Sequence, residues 1–437
     1  MQNTRRDFVK RSTMASAGLV LTPSLETRGM FNIFNEKKLK VALVGCGGRG
    51  SGAANQALQA DDNIELVAMA DAFEDRLTES YNNLYEKYKD TGKFSVKEKN
   101  KFVGFDGYKR AIDLADVVIL ATPPGFRPAH FAYSVENGKH VFMEKPVATD
   151  VPGIQKVLKY AREAKDKNLK VVVGLQRRYQ ENYLAALEEI KKGAVGKLVG
   201  GQVYWNSAGV WVRPRLPEYT ELEYQMRNWY YFNWLCGDHI LEQHIHNIDV
   251  ANWFLDEFPV SAQGMGGRQV RTGKDHGEIF DHHFVEFTYP SGAVISSQCR
   301  HQPGTYNRVA EQFQGTKGFV STNDAAAAFL YDLEGNEIGK FENSAGHNPY
   351  QEEHNRLFKA IRENTDLNNA EYGAKSTLTA IMGRMATYSG EVIKWEDAMQ
   401  STLQLVPDDM TWDTPPPVMP KADGFYEIPT PGKTKVL

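Results

Sequence analysis

Apolar and polar positions follow two different regimes along the chain. Up to about residue 176, short unbroken apolar runs recur: Leu39–Val44, Ile64–Ala70, Asp116–Ala121, His140–Met143 and Lys170–Leu175. Runs of that length without alternation are expected of strands buried on both faces. Between them lie stretches with helical spacing. One opens at the glycines after Val44 and runs to about Ala60, a charged and Tyr-rich one covers 75–101, and one covers Pro152–Asp166. Strands alternating with helices predict a parallel, doubly wound α/β sheet. Beyond residue 176 a helix over 181–192 ends at Gly193. β-branched and aromatic strands then recur at 197–205, 258–270, 279–289, 293–300, 308–314 and 318–321, with turn signals such as Pro290-Ser291-Gly292. This predicts a second α/β domain built on a large, open, mostly antiparallel sheet. Segments 350–363 and 373–394 read as closing helices, and the Pro-rich tail after 405 as extended rather than packed.

The resulting organisation is a leader and linker over 1–37, a doubly wound domain over 38–176, a second, open-sheet domain over 177–395, and a tail over 396–437. A chain of 437 residues suits two domains. Its 41% hydrophobic and 24% charged composition is ordinary for a globular protein. A net charge of −4 offers no global field for nucleic acid, and no apolar run is long enough for a spanning helix. The three cysteines neither make a disulfide framework nor show zinc-site spacing. The start, Thr4-Arg5-Arg6-Asp7-Phe8 followed by a mildly apolar stretch from Met14 to Leu21, resembles a twin-arginine export signal. It predicts a periplasmic or otherwise exported protein. That route carries folded proteins, so a cofactor can travel with the chain.

Candidate chemistry begins at Gly45-Cys46-Gly47-Gly48-Arg49-Gly50, which follows a predicted strand and opens a predicted helix. Gly45, Gly47 and Gly50 permit a tight turn and close approach of backbone to a pyrophosphate, and the helix start offers free N–H groups. Gly48 and Arg49 lie in the same loop. Asp71 ends the next strand, about 20 residues on, where a carboxylate accepts both ribose hydroxyls and repels a 2′-phosphate. The expected cofactor is NAD.

Further along come Thr122-Pro123-Pro124 with His130, Glu144-Lys145-Pro146, Gly196-Lys197-Leu198 and Gly315-Thr316-Lys317-Gly318. With the glycine loop, these motifs resemble the Gfo/Idh/MocA family (glucose–fructose oxidoreductase, inositol dehydrogenase and relatives) over roughly residues 38–395. The resemblance implies a Rossmann domain, an open-sheet second domain and an active site between them. It places Thr122, Pro123, Pro124, His130, Glu144 and Lys145 at the cofactor, and Lys145 also at the substrate. Pro146 is a candidate for a cis bond. The family's Asp-x-x-x-His signature falls on Glu242 and His246, with Glu replacing Asp. It implies His246 as general base, with Glu242 beside it. Glu242, His246 and Asp249 have helical spacing and are expected to share one face.

Substrate contacts are expected from Arg178 and Tyr179, at the end of the last Rossmann strand, from Asp249, and from Trp205, Arg227 and Trp229 in an aromatic, basic stretch. Such rings stack on sugar faces while arginines read hydroxyls. The predicted partner is therefore a small carbohydrate, with no nucleic acid and no membrane span. A homo-oligomer through the second sheet is implied by the resemblance. No metal is expected, because His244 points away from Glu242 and His246, and His282 and His283 alternate on a strand. The leading activity is NAD-dependent oxidation of a sugar or glycoside ring hydroxyl, plausibly at C3, with NAD resident and recycled. The alternatives are a redox-neutral, NAD-dependent glycosidase of the α-N-acetylgalactosaminidase kind and a non-catalytic sugar-binding scaffold.

Overall fold

The computed structural model describes residues 37–323 and 326–437. The segment carrying Arg5 and Arg6 lies outside the described residues. The first unit is a six-stranded parallel sheet made of β1 (Leu39–Val44), β2 (Ile64–Asp71), β3 (Lys101–Val103), β4 (Val117–Leu120), β5 (His140–Met143) and β6 (Val171–Val173), in the order β3-β2-β1-β4-β5-β6. The strand order reverses beside β1, and the crevice at that point is where open α/β sheets bind ligands. Helices α1 (Gly48–Ala60), α2 (Glu74–Tyr88), α3 (Gly107–Asp113), α4 (Arg127–Glu136) and α5 (Val151–Asp166) surround the sheet. β4 and β6 are buried along their whole length, which is why they read as continuous apolar runs.

The charged segment 75–101 is not one helix. α2 stops at Tyr88, the chain turns through Gly92 at φ +71°, and Lys93 and Ser95 pair with Leu66 before β3 forms the sheet edge. Sheet pairing wins there over the helical composition of the segment.

After α6 (Glu181–Lys191) comes β7 (Leu198–Ser207), then α7 (Glu221–Arg227), α8 (Asn233–Cys236), α9 (His239–Glu242) and α10 (Ile245–Leu255). Next come β8 (Ser261–Gly267), β9 (His282–Thr288), β10 (Val294–His301), β11 (Arg308–Gly315), β12 (Gly318–Asn323), β13 (Ala327–Asp332) and β14 (Glu337–Glu342). With β15 (Ile393–Lys394) they make a nine-stranded sheet, β14-β13-β12-β11-β7-β10-β9-β8-β15. β7 and β10 run parallel, and the other neighbours run antiparallel. β13, β14 and β15 add to the strands expected from sequence. β15 lies within the span read as a closing helix, because α12 (Ala370–Ser389) ends at Gly390, φ +77°, and the chain then pairs with β8.

α11 (Pro349–Glu363) returns to pack on α1, and α12 packs on both α5 and β8, so it joins the two sheets. The tail beyond α13 (Trp395–Met399) has little regular structure but it is packed, contrary to the expectation from its composition. Tyr426 is buried, the Leu405 N–H donates to Asp150 at 2.7 Å, and the Gly432 N–H donates to Ser389 O at 2.7 Å. No helix among the described residues is long and apolar enough to cross a membrane.

Candidate functional site

The glycine loop follows from local sterics. Gly45 sits at φ +94°, and a Cβ there would fall 2.5 Å from Thr122 N. A Cβ on Gly50 would lie 1.9 Å from Gly45 O, so the turn into α1 closes only with glycine. Gly47 and Gly48 face open space, with nothing within 4 Å of an added Cβ. Glycine at those two positions leaves room for a ligand against the backbone. Asp71 accepts hydrogen bonds from the N–H groups of Cys46 (2.6 Å) and Phe73 (2.9 Å). Burial pushes its carboxyl above the ordinary range, and the two amides oppose that shift.

A cavity of about 760 Å³ opens over this loop. It is lined by Gly45, Gly47, Gly48, Arg49, Gly50, Asp71, Thr122, Pro123 and His130, as the sequence predicted for a dinucleotide. Open backbone at Gly47, a carboxylate at the ribose position and the volume together fit NAD. Pro124 is buried and does not line it. Glu144 and Lys145 do not line it either. Glu144 is buried, with Arg49 Nε 2.8 Å from its Oε1.

Arg127 was not foreseen. Fully buried, it donates to the carbonyls of Thr122 and Pro146 and so ties the Thr-Pro-Pro turn to the Glu-Lys-Pro turn. The Lys145–Pro146 bond is cis. The only sequence signal was a cation in the first turn of a helix, where the dipole disfavours it.

Beyond that turn, Lys145 Nζ lies 3.0 Å from Glu242 Oε1 and also donates to the Glu242 backbone carbonyl. Burial raises the Glu242 pKa, against the Lys145 charge that lowers it. His246 is buried, and its Nδ1 makes no hydrogen bond among the described residues. Burial first, then the charges of Lys145 and Arg177, hold its pKa well below the ordinary histidine value, so the imidazole is neutral. Trp205 stacks beside it with ring centroids 5.9 Å apart, and the Arg177 guanidinium covers Trp205. A neutral imidazole, an ammonium and a carboxylate thus converge. The helix that carries Glu242 and His246 is broken at Gln243–His244, so the two do not share one helix face as expected.

Five residues expected at the substrate are engaged as follows. Arg178 makes two hydrogen bonds to Asp249, at 2.8 and 2.9 Å, and stacks on Tyr372. Asp249 also accepts from Ser376 at 2.7 Å, so the pair ties α10 to α12. Arg227 and Trp229 line the dinucleotide cavity. Tyr179, also expected at the substrate, is buried and donates to Asn369 at 2.6 Å. Among the described residues one cluster has metal-ligating types in reach, Asp238, His239 and His283, with ligand atoms within 4.8 Å of one another. The Asp238 carboxylate already accepts from His239 Nδ1 (2.8 Å), Phe280 N (3.0 Å) and Tyr388 OH (2.6 Å), which leaves it a protein-satisfied anchor.

Comparison with known proteins agrees with this geometry. Residues 39–175 match the oxidoreductase family with an NAD-binding Rossmann fold, and residues 183–321 match the GFO/IDH/MocA C-terminal domain. The chain is 25% identical to an inositol 2-dehydrogenase of Rhizobium meliloti over 65% of this chain and 76% of that one. It is 27% identical to a 2,7-anhydro-N-acetylneuraminate hydratase of Escherichia coli over 42% of this chain, and spans 45% of that relative's length. Its fold resembles the aldose–aldose oxidoreductase of Caulobacter crescentus, with a TM-score of 0.65 at 19% identity over 82% of this chain and 100% of the other. It likewise resembles a levoglucosan dehydrogenase solved with NADH and levoglucosan, with a TM-score of 0.64 at 18% identity over 82% and 99%. With both of its domains matched, the chain belongs to the GFO/IDH/MocA oxidoreductase family and carries that family's NAD-binding Rossmann domain.

Proposed function

We propose that this protein oxidises a ring hydroxyl of a sugar or glycoside, with C3 of a glucoside the leading candidate, using NAD that stays bound and is recycled in place. The observation that carries the proposal is the Lys145–Glu242 pair beside a neutral, buried His246, with the Lys145 turn tied through Arg127 to Thr122, which lines the dinucleotide cavity. Bound NAD supplies the hydride acceptor. His246 acts as the general base that takes the hydroxyl proton. Lys145 places its ammonium where alkoxide charge develops. Glu242 holds that ammonium in position, and Trp205 offers a ring face beside it. The named activities of the inositol and levoglucosan dehydrogenase relatives support a polyol or sugar as the substrate class.

Two further features belong to the proposal. The Arg5-Arg6 start supports export of the folded, NAD-loaded protein, and export in turn favours a resident cofactor, since free NAD is scarce outside the cytoplasm. The nine-stranded sheet supports pairing with a second copy, because half-exposed residues such as Gln202, Tyr204 and Phe284 alternate with buried ones along its strands.

The test is an absorbance scan of NAD-loaded protein during titration with a panel of glycosides. Growth of the reduced-nicotinamide band without added cofactor, with a keto-sugar in the products, is expected. Release of free sugar from a nitrophenyl glycoside without net keto product would replace this reading with transient-redox cleavage. No band and no product with any sugar would refute it.

A further inference from the structure

The dinucleotide cavity has a wall that the glycine loop does not supply. Trp211, Arg213, Met226, Arg227 and Trp229, all from the segment after β7, line it together with Asp71, Phe73 and Arg76. The Asp71 side is the ribose side, so these residues cover the adenosine half. Arg227 is fastened there. Its guanidinium stacks 4.1 Å from the Phe73 ring centroid and donates to Asp75, at the start of α2, at 3.1 Å. Trp211 and Trp229 pack edge to face at 5.9 Å.

A second layer backs this one. Trp412, from the tail, packs on Phe73 (5.3 Å) and Phe105 (4.8 Å), and both of those rings line the cavity. The tail is pinned on either side of Trp412. Leu405 and Val406 donate to Asp150 in the first domain. Beyond Trp412, Gln225 donates to Val418 O at 2.6 Å and Tyr426 OH donates to Glu221 at 2.5 Å, both on α7. The chain therefore runs as a strap from the Rossmann domain, over the adenosine side, to the helix that carries Arg227.

We infer that the Trp211–Trp229 segment and the 405–426 strap form a clasp that recognises the adenosine half of NAD and retains the dinucleotide through turnover. The inference rests on the proposed resident NAD and names the residues responsible. Aromatic rings and arginines suit a flat, electron-rich base and the adjoining phosphates. Release requires the strap to lift, so the off-rate is set by tail contacts rather than by the glycine loop alone.

The test is the release rate of NAD from the full-length, NAD-loaded protein, followed by exchange against excess labelled NAD. Trp412→Ala removes two ring contacts and is expected to speed release roughly 10-fold. Arg227→Gln is expected to act in the same direction. Leu403→Ala serves as control, because Leu403 is an exposed apolar side chain of the same tail (42%), lies outside the strap and does not line this cavity. It is expected to leave release unchanged. Equal release from wild type, Trp412→Ala and Arg227→Gln would overturn the clasp while leaving the oxidoreductase reading intact. A loss of retention in Leu403→Ala as large as in Trp412→Ala would overturn it too, by showing general loosening of the tail. Failure of the full-length protein to bind NAD at all would overturn both readings.

Discussion

Replacing Lys145 with Met tests the mechanism most directly, because Met keeps the length of the side chain and removes only its charge. The ammonium is largely buried, with its side chain 13% exposed, and it faces a Glu242 side chain that is 16% exposed. Two effects follow. Loss of a preorganised cation at the developing alkoxide is expected to slow hydride transfer about 10²- to 10³-fold. Loss of the counter-charge leaves Glu242 buried alone, and the group then takes up a proton. Protonating an ordinary glutamate at pH 7 costs about 4 kcal/mol, and burial already raises the Glu242 pKa, so the stability loss stays below about 4 kcal/mol. The assay is single-turnover growth of the reduced-nicotinamide band in sugar-saturated protein, with denaturant unfolding measured alongside. The double variant Lys145→Met/Glu242→Gln is expected to recover most of the stability and none of the rate. A rate for Lys145→Met within about threefold of wild type would refute an alkoxide-stabilising role.

Three other outcomes are expected. Gly47→Ala meets no protein atom, so unfolding should be unchanged while NAD affinity falls; unchanged affinity would place the pyrophosphate elsewhere. Arg178→Lys loses the two-point contact to buried Asp249 and should cost about 3 kcal/mol in unfolding with KM unaltered, whereas a KM effect without destabilisation would make Arg178 a substrate contact. Burial holds His130, His244 and His354 near pKa 3 and His140 near 4, so the unfolded chain binds protons below its ordinary histidine value of about 6.5 while the folded chain does not. Stability present above that value is therefore lost as pH falls through it, by about 1.4 kcal/mol per pH unit for each imidazole not offset. Glu278, raised to about 7 by burial, offsets in part, since its folded form gains a proton over the same range. Denaturant unfolding at pH 7 and pH 5.5 checks the sign, and equal stability would contradict it.

Much of the first domain was legible because strands covered on both faces must be apolar throughout, so β1, β4 and β5 stand out from the flanking helices. β3 was hidden: three residues at a sheet edge, Lys101–Val103, carry no period. β15 was hidden inside an apolar run that reads as helix until Gly390 ends it. The glycine loop, Asp71 and Lys145 were legible because their roles follow from local backbone or short motifs. Arg127, the Arg178–Asp249 pair and the strap were not, because their partners are set by tertiary packing. Arg178 and Asp249 are 71 residues apart, and the strap meets Phe73 and Phe105 from the far end of the chain. Arg227 and Trp229 had a composition suited to sugar and line the cavity over the glycine loop, since an aromatic and basic surface suits either ligand.

The broken helix at Gln243–His244 gives one more distinction, and it concerns why Glu replaces Asp. In an unbroken helix the Glu242 carbonyl would accept from the His246 N–H. Here the His246 N–H turns instead to Gln243 O, at 3.3 Å, and the freed Glu242 carbonyl accepts from Lys145 Nζ. Lys145 is thus anchored twice by one residue, through a carbonyl that any side chain would leave in place and through a carboxylate that needs the longer arm. Glu242→Asp removes the second anchor and keeps the first. The ammonium should therefore stay near its position, and the single-turnover rate should fall no more than about 10-fold, far less than for Lys145→Met. A loss as deep as that of Lys145→Met would show that the carboxylate is required and that the break in the helix does not position Lys145.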